Sequence, residues 1–207
     1  MKYTVHSLFL TAQGEGANLG RVAVFVRFSG CNLWSGRQED RATAVCKFCD
    51  TEFVGGARYS DAEALADAAL ALWPSDHLGH RMVVLTGGEP LLQVDAPLLT
   101  AFRARLFYVA VETNGTRPLP GHVDWLCVSP KAGTTLALHD ADELKLVYPQ
   151  KGAEPERFSE FSAVYRWLSP MAAPRRTTRN TAKAAAYCLA HPEWRLAIQA
   201  QKTWRMP

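Results

Sequence analysis

The chain has no long apolar run, no low-complexity tract and no close internal repeat, and each absence removes a class of protein. Without roughly 18 consecutive apolar residues there is no candidate membrane-spanning helix. The opening MKYTVHSLFLTAQGEG lacks the apolar stretch and small-residue cleavage site of a secretory leader, so the expected location is the cytoplasm. Neither sign of charge dominates: 23 basic and 20 acidic residues leave a formal net charge of +3. That balance is too even to draw nucleic acid or a membrane to the whole surface, although small charged ligands stay possible. Cysteines number five, an odd count, and thiols kept reduced in a cytoplasm bind metal more often than they pair. What is present is 207 residues, 48% hydrophobic and 21% charged, which suits one domain over residues 1–207 with a full core.

Strand-like and helix-like segments alternate. VAVFVRF, Val22 to Phe28, is dense in β-branched and aromatic residues and halts at Ser29-Gly30, which marks a strand. SDAEALADAALALW predicts a helix, with Ser60 or Asp61 as cap and leucines at 65, 70 and 72. RMVVLTGGEP is a short apolar run that ends in paired glycines, as a buried strand delivering a loop would. DAPLLTAFRARL predicts the next helix, with Asp95 as cap and Pro97 in its first turn. Four more strands are expected in LFYVAVETNG, VDWLCVSPK, ELKLVYP and VYRWLSPM, then a helix in TAKAAAYCLAHP and a final strand in WRLAIQAQK. Strands separated by helices imply parallel pairing, hence an α/β fold whose parallel sheet is open or closed. Ligands of such folds sit at the carboxyl ends of the strands.

Three cysteines lie in CNLWSGRQEDRATAVCKFCDT, residues 31–51: Cys31, then fourteen residues, then the C-x2-C pair Cys46 and Cys49. A structural zinc site closes its tetrahedron with four protein ligands, and only three are local. His77 and His80 are candidates for a fourth, whereas Cys127 and Cys188 sit in apolar runs and read as core. The other reading is an iron–sulfur cluster with one iron left without a protein ligand. That iron could chelate the adjacent amino and carboxylate groups of S-adenosylmethionine, and an electron passed into the sulfonium would give a carbon radical. On spacing alone both readings stand.

This segment together with TGGEP (Thr86 to Pro90) resembles the radical S-adenosylmethionine superfamily, with Phe48 in the aromatic place before the last cysteine. The usual first gap is three residues instead of fourteen. TAQGEG, VFVRFSGCNLW, CKFCDT, TGGEP, ETNG, VSPK and ELKLV follow in order and resemble the 7-carboxy-7-deazaguanine synthase family, some members of which carry an expanded cluster loop. The resemblance covers nearly the whole chain, its C-terminal third less closely. It implies an incomplete parallel (β/α) barrel of about six core strands, and a carbon–nitrogen lyase that contracts the ring of 6-carboxy-5,6,7,8-tetrahydropterin with loss of ammonia. The pathway implied is queuosine or other deazapurine biosynthesis, the former serving tRNA modification.

The same resemblance implies the site. Cys31, Cys46 and Cys49 would hold a [4Fe-4S] cluster as thiolates. Phe48, Cys49, Asp50, Gly88 and Glu89 would lie against S-adenosylmethionine, Glu89 meeting its amino group. Ser129, Pro130 and Lys131 would contact the nucleoside, and Ser169, Pro170, Met171 and Ala172 the adenine side. Other members carry a Gln and an acidic residue where Ser169 and Ala172 stand, which leaves backbone contacts there. Ala12, Gln13, Gly14, Glu15, Arg27 and Thr86 would bind substrate, Arg27 gripping the carboxylate by a bidentate pair. Pro207 would offer its terminal carboxylate to the pterin, and Thr51 would ligate Mg²⁺. A flavodoxin or ferredoxin as electron donor and a homodimer are expected as partners. Two other functions remain: a different radical enzyme such as a glycyl-radical activase, and a non-catalytic zinc-binding adaptor.

Overall fold

The computed structural model describes residues 3–74, 77, 79–173 and 175–206. One sheet of nine strands runs through them in the order β3-β1-β2-β4-β5-β6-β7-β8-β9. The central strands are β2 (Val22–Phe28), β4 (Met82–Gly87), β5 (Tyr108–Thr113), β6 (Trp125–Val128), β7 (Asp140–Tyr148) and β8 (Ser162–Pro170). These six and the three-residue β9 (Trp194–Leu196) are all parallel neighbours. Two antiparallel strands, β1 (Tyr3–Ala12) and β3 (Ala57–Tyr59), complete the other edge. The two edges do not pair, so the barrel is incomplete.

Helix α1 (Ala62–Leu70) begins where the Asp61 carboxylate accepts the Ala64 N–H, and α2 (Ala96–Ala104) where Asp95 does the same for Leu98. Caps of this kind stabilise a helix by about 1 kcal/mol. Each helix turns an apolar stripe to one face of the sheet: Leu65 and Ala69 from α1, Leu98 and Phe102 from α2, packed on Val24, Val26, Val83, Leu85 and Val109. Leu65 is fully buried, worth about 1.5–3 kcal/mol. Helix α3 (Thr177–Ala190) adds Ala184 to that core beside β8 and β9.

The alternate residues face the other way, where Ala23, Met82, Val84 and Ala110 form a smaller cluster under Phe25, Tyr108 and Trp125. Side chains on a strand alternate with period two. The same phase, continued toward the carboxyl ends, therefore delivers Arg27, Thr86 and Glu112 into the mouth of the half-barrel. No helix among the described residues is long and apolar enough to cross a membrane.

One expectation changes. WRLAIQAQK is not one strand: β9 stops at Leu196 and the short α4 (Ala200–Trp204) follows. Tertiary contacts override the alternating pattern there, since Ala200 N–H donates to the Gly14 carbonyl at 3.0 Å. Strand β1, between β3 and β2, carries no clean alternation because its register slips between Val5 and Ser7, and such a bulge moves later side chains to the opposite face.

Candidate active site

A cavity of about 390 Å³ opens at the carboxyl ends of the strands. All three clustered thiols line it, with Thr51 and Asp50 beside them. Across from them stand Gln13, Glu15, Arg27, Glu112 and Lys145.

At the thiol end, the long gap between cysteines closes on itself. The Leu33 carbonyl accepts the N–H groups of both Val45 (3.0 Å) and Cys46 (3.2 Å). Residues 34–44 thus leave and return at one point, and Cys31 and Cys46 line the same cavity. Trp34 and Phe53, both buried, meet edge to face at 5.5 Å beneath the excursion. The thiols are free and share protons. The hydrogen bond with the Cys46 thiol, opposed by burial and helped by the Thr51 N–H and hydroxyl, brings Cys49 down to about 6. The same bond and burial push Cys46 up, and burial raises Cys31. Among the described residues no group of three or more His, Cys, Asp or Glu side chains is placed to hold a single metal ion. A cluster in which each thiolate takes its own iron accommodates a wider spread.

The Gly87-Gly88 turn presses on this loop. Gly88 N–H donates to the Phe28 carbonyl at 3.2 Å, and Glu89 N–H to the Gly30 carbonyl at 2.9 Å. A Cβ at Gly88 would lie 2.0 Å from Gly30 O and 2.8 Å from Cys31 Cβ. Glu89, expected to meet the methionyl amino group, is instead fully buried. Its carboxylate accepts the Thr113 hydroxyl at 2.6 Å and the N–H groups of Asn114 (2.8 Å) and Leu91 (2.9 Å). It ties the TGGEP turn to the ETNG turn and does not line the cavity.

At the other end a lysine bridges two carboxylates. Lys145 Nζ donates at 2.8 Å to Glu15 Oε2 and at 3.0 Å to Glu112 Oε2. Gln13 Nε2 donates to Glu112 at 2.8 Å, and Gln199 and Gln201 Nε2 donate to Glu15 at 2.9 and 3.1 Å. Burial alone would raise Glu15, but the Lys145 ammonium and the two amides outweigh it and bring the carboxyl down to about 2. Burial would lower Lys145, and its two carboxylates reverse that and hold it well above its ordinary value. The QGEG turn is fixed from below by Glu143, which accepts Trp125 Nε1–H at 2.7 Å and Ala17 N–H at 3.2 Å. Gly16 is required there: its φ is +71°, and a Cβ would sit 2.2 Å from Glu143 Oε2. Three buried polar atoms of the wall, Thr11 Oγ1, Arg27 Nε and Gln201 Oε1, have no hydrogen-bond partner, which is costly unless a ligand supplies one.

Of the expected site residues, Ala12, Gln13, Gly14, Glu15, Arg27, Thr51, Thr86, Gly88, Ser129, Lys131, Ser169, Asp50 and the three cysteines line this one cavity. Phe48, Glu89, Pro130, Pro170, Met171 and Ala172 do not. Pro207 lies outside the described residues. Lys131 Nζ donates to Ser129 Oγ at 2.8 Å. Sequence reasoning missed Glu112, Lys145, Gln199, Gln201 and Lys202. For two of them a signal existed: in ELKLV the leucines face the core, so Lys145 falls on the inward phase of a buried strand, as Glu112 does before TNG.

No family model matches the chain. Among curated proteins, the 7-carboxy-7-deazaguanine synthase of Bradyrhizobium diazoefficiens is 54% identical, over 98% of this chain and 98% of its own. The protein of that name from Bordetella pertussis is 51% identical over all of both chains, and that from Bacteroides thetaiotaomicron 37% identical over 98% and 97%. The crystal structure of QueE from Escherichia coli, 23% identical, superposes with a TM-score of 0.67 over 96% of this chain and 94% of that one, a likeness of fold.

Proposed function

The chain belongs to the 7-carboxy-7-deazaguanine synthase family, and from that premise we propose that it contracts 6-carboxy-5,6,7,8-tetrahydropterin to 7-carboxy-7-deazaguanine with loss of ammonia. Family membership sets aside the activase and zinc-adaptor readings. The observation that carries the proposal is one cavity lined both by three thiols and by a Glu15–Lys145–Glu112 ion trio.

The residues divide the work by chemistry. Glu15, held ionised by Lys145, and Glu112 beside it are acceptors that take the N–H groups along the pterin edge. The Arg27 guanidinium, with its Nε unpartnered, binds the substrate carboxylate. Cys31, Cys46 and Cys49 hold the [4Fe-4S] cluster, and the flat Gly87-Gly88 turn beside them leaves room for S-adenosylmethionine to lie close to the backbone. Ser129, Lys131 and Ser169 face its nucleoside part. When bound, this pair of cofactors would supply a carbon-centred radical for hydrogen abstraction from the substrate. The walls keep the reacting carbon near the substrate and exclude water. The Thr51 hydroxyl, now turned to Cys49, serves Mg²⁺ together with substrate oxygens. A cytoplasmic homodimer reduced by flavodoxin or ferredoxin completes the reading.

Anaerobic incubation with the carboxypterin, S-adenosylmethionine and a reductant tests it. The expected result is a brown protein with about four iron and four sulfide per chain and ultraviolet absorbance of the deazapurine. A colourless protein, or a brown one that leaves the pterin intact, contradicts it.

A further inference from the structure

The excursion between Cys31 and Cys46 contains one residue that touches both of its ends. Arg41 lies flat on the Trp34 ring, its Cζ 3.5 Å from the ring centroid. Its Nη1 donates to the Cys49 carbonyl at 2.9 Å and to the Lys47 carbonyl at 3.4 Å, and its Nε to Gln38 Oε1 at 3.4 Å. No backbone N–H among the described residues donates to either carbonyl. Trp34 is itself fixed, since its Nε1–H donates to the Arg37 carbonyl at 3.0 Å and its ring stands edge-on to buried Phe53. Neither Trp34 nor Phe53 belongs to the two core clusters, and the loop is tied to the rest of the fold by polar contacts of Asn32 with Asn114 and Thr116 and of Asp50 with Lys202.

We propose that Arg41 is the positioning residue of the cysteine loop: stacked on Trp34 and bonded to the Lys47 and Cys49 carbonyls, it sets the Cys46–Cys49 turn against the Cys31 arm before iron arrives. This rests on the reading that the three thiols hold a cluster. It explains how a gap of fourteen residues can replace a short one: the excursion carries its own clasp. A guanidinium suits this because its plane stacks on an aromatic face while its edge offers several fixed donors; an ammonium has the charge without the plane.

Wild type, R41A and R41K, each the full chain, are compared in two ways. In the metal-free proteins, amide hydrogen exchange over residues 45–51 is expected to be at least about tenfold faster in both variants. After anaerobic reconstitution, loss of iron to a chelator is expected to be about 10- to 100-fold faster in both, the range typical when a partner that orients metal ligands is removed. Thermal unfolding of the metal-free chains should stay near wild type, because the loop lies outside the core. Unchanged exchange and unchanged iron loss in R41A overturn the proposal, as does full rescue by R41K or collapse of the whole fold in R41A. A wild type that takes up no iron overturns the cluster reading instead, and the exchange data still decide what Arg41 does.

Discussion

At the acid end of the cavity, Arg27, Glu112 and Lys145 project from β2, β5 and β7 at inward positions fixed by the pairing of neighbouring strands, whereas the thiol end hangs on a loop outside both core clusters. The first is positioned by the sheet and held by buried charge. The second is held by a few backbone hydrogen bonds, one stacked arginine and the pressure of a glycine turn. On the proposed reading, recognition of the heterocycle belongs to the part of the site that the sheet positions, and the part that would admit a metal cluster is assembled locally.

The largest effect should come from cutting the loop end while sparing the sheet. Cys46→Ala is expected to abolish colour and turnover, with the unfolding free energy of the metal-free chain changed by less than about 2 kcal/mol, read by denaturant melts. A large loss of stability would erase the distinction between the two ends.

Lys145→Met should do the reverse. It leaves two half-buried carboxylates, 16% and 25% exposed, without their cation, a change that costs less than the roughly 3–5 kcal/mol of a fully buried pair, and kcat/KM is expected to fall at least about 100-fold, while iron content stays normal. The pH dependence has a definite sign. In wild type Glu15 is depressed to about 2, so its contribution to stability is present above its unfolded value and is lost only as pH falls toward 2. Lys145 is raised, so its contribution holds below its ordinary value and is lost only at higher pH. KM should therefore be flat through neutrality. In Lys145→Met burial prevails at Glu15, and KM should rise as pH falls; a pH-independent KM in the variant would count against the counter-ion role.

Gly88→Ala sharpens the comparison where the ends meet. Its Cβ would push on the Gly30 carbonyl and on Cys31, both tied to backbone, and overpacking of this kind costs about 1–3 kcal/mol. Iron retention is expected to drop about tenfold with little change in KM for the pterin. The smallest effect belongs to Lys202→Ala. The pair of Lys202 with Asp50 crosses from α4 to the loop at 3.2 Å, but its side chains are 53% and 64% exposed. Exposed pairs contribute less than about 1 kcal/mol, so KM should change by less than about fivefold.

Legibility in the sequence follows the same division. The parallel strands and their helices were readable because burial on both faces makes short apolar runs such as VAVFVRF and RMVVL, and because Asp61 and Asp95 stand at the caps. Strand β1 was not, since the slip near Ser7 breaks the alternation. The cysteines and Arg27 were readable from ordered motifs. Lys145 and Glu112 were within those motifs but passed over, and only their partners make them conspicuous. Glu89 reads as a ligand in TGGEP, and its burial and its bonds to Leu91, Thr113 and Asn114 were not legible there. Gln199 and Gln201 were invisible as site residues, because a short helix that packs on Gly14 cannot be inferred from WRLAIQAQK.

The most direct test uses the carboxypterin carrying deuterium at C6, turned over anaerobically by the reconstituted protein. If one cavity holds the pterin on its acid wall and the activated nucleoside on its thiol wall, deuterium must appear in the nucleoside carbon of S-adenosylmethionine as the deazapurine forms. Formation of the deazapurine with no deuterium in the cofactor, or with all of it released to solvent, would contradict that arrangement.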